Sequence, residues 1–214
     1  MAERQPRHGD RYADHGLRAN PFAAPGHDEV LGDAFVDRGL PTPLPGAAAL
    51  VQLIGEAGAG KTSQLKHWQT QHPGPYHWVP RHPWRSRWAA PPPPDGGIVY
   101  GDELDRMPAL VRARWFRTCA ANGATLVAGT HRDLARTAKR AGLRVVTHHL
   151  GPADHALLQQ VIDLRLRSVA IGDAPPDFAT DDLVHDVLRS SAGNLREADV
   201  LCHQRLAQHV AHRQ

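Results

Sequence analysis

An α/β fold built on a parallel sheet is predicted by three observations. Short apolar runs alternate with helix-period stretches from residue 48 to 149. The first run, Ala48-Ala49-Leu50-Val51-Gln52-Leu53-Ile54, ends in a glycine-rich loop that leads into a helical pattern. After Gly151-Pro152 the texture turns wholly helical. Alternating strands and helices build parallel sheets, because a parallel connection needs a long crossover. The expected architecture has three layers around a five-stranded parallel sheet, followed by a small C-terminal all-helical lid.

The elements follow in order. Residues 1–19 are polar and charged and are expected to be a flexible tail. A turn-rich lead-in opens at Asn20-Pro21-Phe22, and Pro41, Pro43 and Pro45 argue against regular structure there. The run 48–54 reads as a buried strand. A helix from Lys61 to about Gln71 places Leu65 and Trp68 inward. Tyr76–Val79 is a second short strand. Six prolines between Pro80 and Pro94 predict an irregular excursion. Trp84 and Trp88, interleaved with Arg85 and Arg87, either pack locally on the sheet edge or stack on nucleobases or a partner. Ile98-Val99-Tyr100 makes a third strand. Leu104, Met107, Val111, Trp115 and Cys119 keep helical spacing, with Pro108 tolerated in the first turn. Strands 124–129 and 143–147 flank a helix over 133–141. Leu157, Leu158, Val161 and Ile162 form one later helical face, and Leu183, Val184, Val187 and Leu188 another. A last helix starts at Asn194, with Glu197 as a capping-box partner, and Leu195, Ala198, Cys202 and Leu206 line its stripe. The domain reading is therefore a tail 1–19, a nucleotide-binding domain 20–151 with its lead-in, and a helical lid 152–214.

Composition narrows the function classes. The formal charge is +3, with 22 arginines against 3 lysines and no basic run of five, so nucleic-acid binding has no support from charge pattern. The two cysteines, Cys119 and Cys202, lie in helical patterns and read as buried thiols. The 15 histidines show neither HExxH nor Cys-paired zinc spacing. His72, His77 and His82 read as a solvated surface. No apolar run has the length of a membrane span, and the N-terminus lacks a signal-peptide pattern, so a cytoplasmic protein is expected.

The chemistry centres on Gly55-Glu56-Ala57-Gly58-Ala59-Gly60-Lys61-Thr62, a full match to GxxxxGK[ST] between strand and helix. Glycines let successive N–H groups turn toward phosphate oxygens, and the helix N-terminus adds partial positive charge. The cradle is expected to run on to Ser63. Lys61 reaches the β- and γ-phosphates, and Thr62 offers its hydroxyl to Mg²⁺. About 40 residues on, Ile98-Val99-Tyr100-Gly101-Asp102-Glu103 fits a Walker B strand. Asp102 would hold Mg²⁺ and Glu103 would polarise the attacking water. These residues make Mg²⁺ and ATP the expected ligands.

The sequence resembles a small AAA+-type ATPase of the additional-strand group over about residues 47–205. The likeness rests on GEAGAGKT, IVYGDE, TLVAGTH and SAGNLREA in that order. It implies a polar sensor 1 residue at the end of an inserted strand, which matches Thr130, with His131 competing; Thr130 otherwise caps the next helix. It implies a sensor 2 arginine in the lid, matching Arg196 in Gly193-Asn194-Leu195-Arg196. Arg136 and Arg140 occupy the stretch where an arginine finger would lie. The span between the two Walker motifs is short for this family. The implied activity is Mg-dependent ATP hydrolysis coupled to a shape change in a protein partner or a self-assembly. A nucleotide switch with little turnover and a small-molecule P-loop kinase are the other readings. ATP is preferred over GTP because no NKxD tetrapeptide occurs.

Overall fold

The computed structural model describes residues 10–22, 35–82, 95–172 and 178–212. The chain forms two compact units, one over residues 37–151 and one joining 152–214 to the N-terminal 36 residues.

The first unit is a parallel five-stranded sheet. Its strands are β1 (Ala49–Ile54), β2 (Tyr76–Trp78), β3 (Ile98–Asp102), β4 (Thr125–Thr130) and β5 (Arg144–His149), in the order β2-β3-β4-β1-β5. Side chains alternate between faces along each strand. Leu50, Val99, Leu126 and Ala128 meet one cluster with Trp115, Phe116, Cys119, Leu134 and Ala138. These come from α3 (Ala109–Ala121), the segment after β4 and α4 (Ala135–Arg140). Val51, Leu53, Ile98, Tyr100 and Val127 meet Leu65 and Trp68 of α2 (Lys61–Gln71) in a second cluster. Helices therefore cover both faces, which explains why β1, β3 and β4 read as nearly unbroken apolar runs. The expected three-layer α/β sheet is present.

One buried polar side chain interrupts β1. Gln52 is fully buried, and each of its polar atoms has a partner. Its amide donates to Asp133 Oδ1 at 2.6 Å and to Thr147 Oγ1 at 2.8 Å, and its carbonyl accepts from Leu134 N at 2.9 Å. Its bonds to Asp133 and Leu134 tie β1 to the turn after β4 and so fix the entrance to α4, while the bond to Thr147 joins β1 to β5. The Asp133 carboxyl is held below its ordinary value by the Ala135 N–H first and the Gln52 amide second.

Between β3 and α3 the structure corrects the expected helix from Leu104. A 3₁₀ turn spans Leu104–Arg106, and α3 begins only at Ala109 behind Pro108. A residue before proline is driven to extended backbone, and Met107 sits at φ −62, ψ 134. The proline therefore splits the apolar series into a turn and a helix. Trp84 and Trp88, like the proline-rich excursion from 83 to 94, lie outside the described residues.

The second unit is helical. It contains α1 (Asp10–Ala13), α5 (His155–Val169), α6 (Asp181–Ser191) and α7 (Leu195–His212). Leu158, Ile162, Leu166, Val184, Val187, Ala198, Cys202, Leu206 and Val210 form its core. Asp154 caps α5 by accepting from Leu157 N at 2.8 Å, and Thr180 caps α6. Asn194 Oδ1 accepts from Arg196 N and Glu197 N at the start of α7, while its amide meets Glu197 Oε1 at 3.4 Å. Gly193 makes the preceding turn at φ 76, where a Cβ would stand 2.6 Å from Ala153 O.

The N-terminal stretch corrects the expectation of a flexible tail through residue 19. Leu17 and Phe22 lie in the helical core, and Leu17 pairs with Ala170 in an antiparallel bridge. Arg18 N donates to Val169 O at 2.8 Å and Asn20 to His203 O at 3.2 Å. Burying one Leu and one Phe contributes on the order of 2 kcal/mol each, enough to hold a short polar segment in place. Residues 20–22 accordingly belong with the helical unit, not with the sheet.

Candidate nucleotide site

Adjacent strands lie about 4.8 Å apart. Since β4 runs between β1 and β3, groups carried by β1 and β3 must meet across roughly 10 Å, over the end of β4. The structure solves this with a glycine. Gly129 is the penultimate residue of β4, and a Cβ there would stand 2.5 Å from Asp102 Oδ1 and 3.6 Å from Lys61 Cβ. The missing side chain leaves the space in which the Asp102 carboxylate lies beside the loop after β1.

That loop begins at Gly55 and turns through Gly58 (φ 80) and Gly60 (φ 86), left-handed positions that side-chain-bearing residues rarely adopt. Gly60 is the residue before α2, so the first amides of the helix face the loop's concavity. Gly55 also runs against Leu150, whose carbonyl would be 2.7 Å from a Cβ there. Lys61 is buried, and its ammonium donates back to the loop, to Gly55 O at 2.7 Å and Glu56 O at 3.0 Å. Burial draws the Lys61 pKa down, while the carboxylates of Glu103, Asp102, Asp105 and Glu56 push it back up. Glu56, Ala57 and Ser63 complete the cradle's span, Glu56 and Ala57 exposed and Ser63 half-buried in the first turn of α2.

Asp102, only 2% exposed, is the meeting point of the site. Thr62 Oγ1 donates to its Oδ2 at 2.7 Å, and Tyr76 Oη donates to the same oxygen at 2.8 Å. Glu103 N donates to Oδ1 at 3.0 Å. Burial first, then the Asp102 carboxylate, hold the Tyr76 phenol protonated far above its ordinary range. A hydroxyl and a buried carboxylate, both oxygen donors and already in contact, suit Mg²⁺, which takes few protein ligands and keeps several waters. The residues present therefore fit the ion, which Thr62 and Asp102 would hold.

Glu103 occupies left-handed backbone at φ 59, ψ 38. Its Oε2 is 3.1 Å from Arg106 Nη2 and 3.0 Å from His131 Nε2. A non-glycine residue in that conformation carries a cost of about 1–3 kcal/mol and persists where surrounding contacts enforce it. Here the Asp102 carboxylate, the Arg106 ion pair and the His131 contact do so.

Comparison with known proteins adds the fold. No protein-family model matches the sequence, and no curated protein matches it. Among solved structures, RuvB of Thermotoga maritima aligns with TM-score 0.49 and 18% identity, over 72% of this chain and 53% of that one. The Orc1 protein of Aeropyrum pernix, solved in complex with DNA, aligns with TM-score 0.50 and 18% identity, over 81% of this chain. The chain spans 62% of the length of that Orc1 chain. The alignment and the strand order, with β4 inserted between β1 and β3, decide the fold. It is the fold of the AAA+-type P-loop ATPases.

Within this AAA+ fold, Lys61, Thr62, Asp102 and Glu103 converge on one region. Thr130 lies at the end of β4 and is fully buried, but its hydroxyl is engaged in a local turn. It donates to Arg132 O at 2.8 Å and accepts from Arg132 N at 3.1 Å. It is His131, the competitor at that position, that reaches Glu103, while its own amide donates to Asp105 Oδ1 at 3.2 Å. Arg136 and Arg140 are exposed on α4. Arg196 is exposed at the start of α7, in the helical unit.

Three contributors escaped sequence reasoning. Tyr76 sits on a strand of three residues, and only the sheet order puts it beside Asp102. Arg106 pairs with Glu103 through a 3₁₀ turn created by Pro108. Gly129 did leave a signal, since a glycine inside an otherwise apolar strand marks a close approach of another group.

Proposed function

We propose that the protein binds Mg-ATP at Gly55–Ser63 and hydrolyses it. The observation that carries this reading is the 2.7 Å contact between Thr62 Oγ1 and the buried Asp102 carboxylate beside the Lys61 ammonium. Loop amides and Lys61 would hold the phosphates, and Thr62 and Asp102 would hold the ion. When bound, Mg²⁺ neutralises charge on the transferring phosphoryl group. Glu103 is the base that accepts a proton from the attacking water, with Arg106 and His131 setting where its carboxylate points. Thr130 and Arg196 keep the sensor roles only as proposals; equal ATP affinity in Arg196→Ala and the parent would remove the second.

A nucleotide switch with little turnover is the second reading, favoured by one observation: the Glu103 carboxylate already lies against the Arg106 guanidinium and the His131 ring. Thin-layer analysis of labelled ATP separates the readings. Phosphate release without any acceptor, abolished in Lys61→Ala, supports the hydrolase. Tight binding with no release supports the switch, and label transfer only to an added acceptor supports a kinase.

We further propose that turnover drives a shape change in a protein partner or an assembly of copies of this chain. The Orc1 structure contains DNA, which makes DNA the alternative partner, set against a net charge of only +3. Among the described residues, no helix is long and apolar enough to cross a membrane.

A further inference from the structure

The helical unit carries a side-chain cluster that nucleotide chemistry does not use. His155 is the first residue of α5, and Asp181 and His185 stand one turn apart on α6. His155 Nε2 lies 3.1 Å from Asp181 Oδ1, and His185 Nε2 lies 3.4 Å from Asp181 Oδ2. The two imidazole rings are 4.3 Å apart between centroids and inclined by 38°. One nitrogen or oxygen from each of the three residues falls within 4.8 Å of the others.

The geometry has the scale of a coordination sphere. A tetrahedral ion bonded at about 2.0–2.1 Å keeps its ligand atoms about 3.3 Å apart. The two nitrogen–oxygen separations at Asp181, one to each of its oxygens, already have that length, and rotation of the exposed Asp181 and His185 side chains brings one oxygen and both nitrogens onto a shared ion. Two imidazoles and one carboxylate are the donors of zinc-class ions, whereas Mg²⁺ and Ca²⁺ prefer oxygen alone. The partial positive charge of two helix N-termini opposes a cation here. Asp154 at the α5 cap and Asp182 beside Asp181 offset it, in addition to the carboxylate ligand itself. Spacing along the chain could not reveal the cluster, because residue 155 and the 181/185 pair come from different helices.

We propose that His155, Asp181 and His185 bind a divalent transition-metal ion of the zinc class, with one coordination position left to solvent. The ion joins the start of α5 to the start of α6. The site does not depend on the ATPase reading.

The test uses the full chain without nucleotide, titrated with Co²⁺ by visible absorption and with Zn²⁺ by calorimetry. The expected result is one ion per chain, with the visible bands of four-coordinate Co²⁺ bleached by Zn²⁺. Loss of a residue that only orients a metal ligand costs about 10–100-fold in affinity, so His185→Gln is expected to weaken Zn²⁺ binding about 100-fold. His149→Gln, at an exposed histidine of β5, should leave it unchanged. His185 is 62% exposed, so its substitution leaves the fold intact, which circular dichroism verifies. Parental Zn²⁺ affinity and stoichiometry in His185→Gln, or no binding by the parent at micromolar concentrations, overturns the proposal.

Discussion

Gly129→Ala places one methyl group against the Asp102 carboxylate. The new Cβ would stand 2.5 Å from Oδ1, so the oxygen must retreat by about 1 Å to reach ordinary contact distance. It has little freedom to do so. Its partner oxygen is held by Thr62 and Tyr76, and Oδ1 itself receives the Glu103 amide. The displacement therefore loosens the Thr62–Asp102 pair and the base together. Overpacking of this kind costs about 1–3 kcal/mol, or a fall in Tm of about 2–4 °C per kcal/mol in a chain of this size. Misplacing reactive groups by about 1 Å costs on the order of 100-fold in rate. The assay is phosphate release against Mg²⁺ concentration at saturating ATP, well below Tm. Gly129→Ala is expected to turn over about 100-fold more slowly and to need more Mg²⁺. Nucleotide binding in EDTA should be unchanged, because Lys61 Cβ sits at an ordinary 3.6 Å from the new methyl. Parental turnover with parental Mg²⁺ dependence would refute the claim that Asp102 works through its present position.

Two further substitutions probe the supports of the site. Tyr76→Phe removes one donor to Asp102 Oδ2; a bond to a charged acceptor is worth about 1.5–3 kcal/mol, so a higher Mg²⁺ requirement is expected in the same assay, with metal-free binding intact. Gln52→Leu leaves the buried Leu134 N–H without its acceptor, and a loss of about 1–3 kcal/mol in urea denaturation is expected; an unchanged midpoint would show that the β1 network contributes nothing. In Asp133→Asn, stability should lose part of its acid dependence. The folded carboxyl titrates below its unfolded value, so its contribution is present above that unfolded value and disappears as pH falls through the folded one.

What could be read from the sequence was whatever a short local pattern encodes. Gly55–Thr62 needs its glycines and lysine at fixed offsets, so the motif declares itself. Ile98–Asp102 is visible as an apolar strand ending in a carboxylate. The N-cap at Asn194 is equally local, and its side chain accepts from Arg196 N and Glu197 N, although Glu197 meets the Asn194 side-chain amide and not its backbone N–H. Contacts made by topology were not legible. Tyr76 reaches Asp102 only because β2 pairs with β3, and Leu17 enters a core formed by helices more than 130 residues away. That Thr130 bonds its hydroxyl to the Arg132 backbone while His131 reaches Glu103 was not legible either, because residue types at a strand end do not decide such a competition. The left-handed Glu103 follows from the contacts around it, not from a propensity of its own.

In the proposed reaction Glu103 activates water for a nucleotide held by Lys61, Thr62 and Asp102. Its most direct test measures ATP affinity and single-turnover phosphate release side by side in the parent and in Glu103→Gln. Affinity within a few-fold of the parent is expected, with release slowed by about 100- to 10,000-fold, the range for loss of a general base. Equal release rates in the two proteins would contradict it.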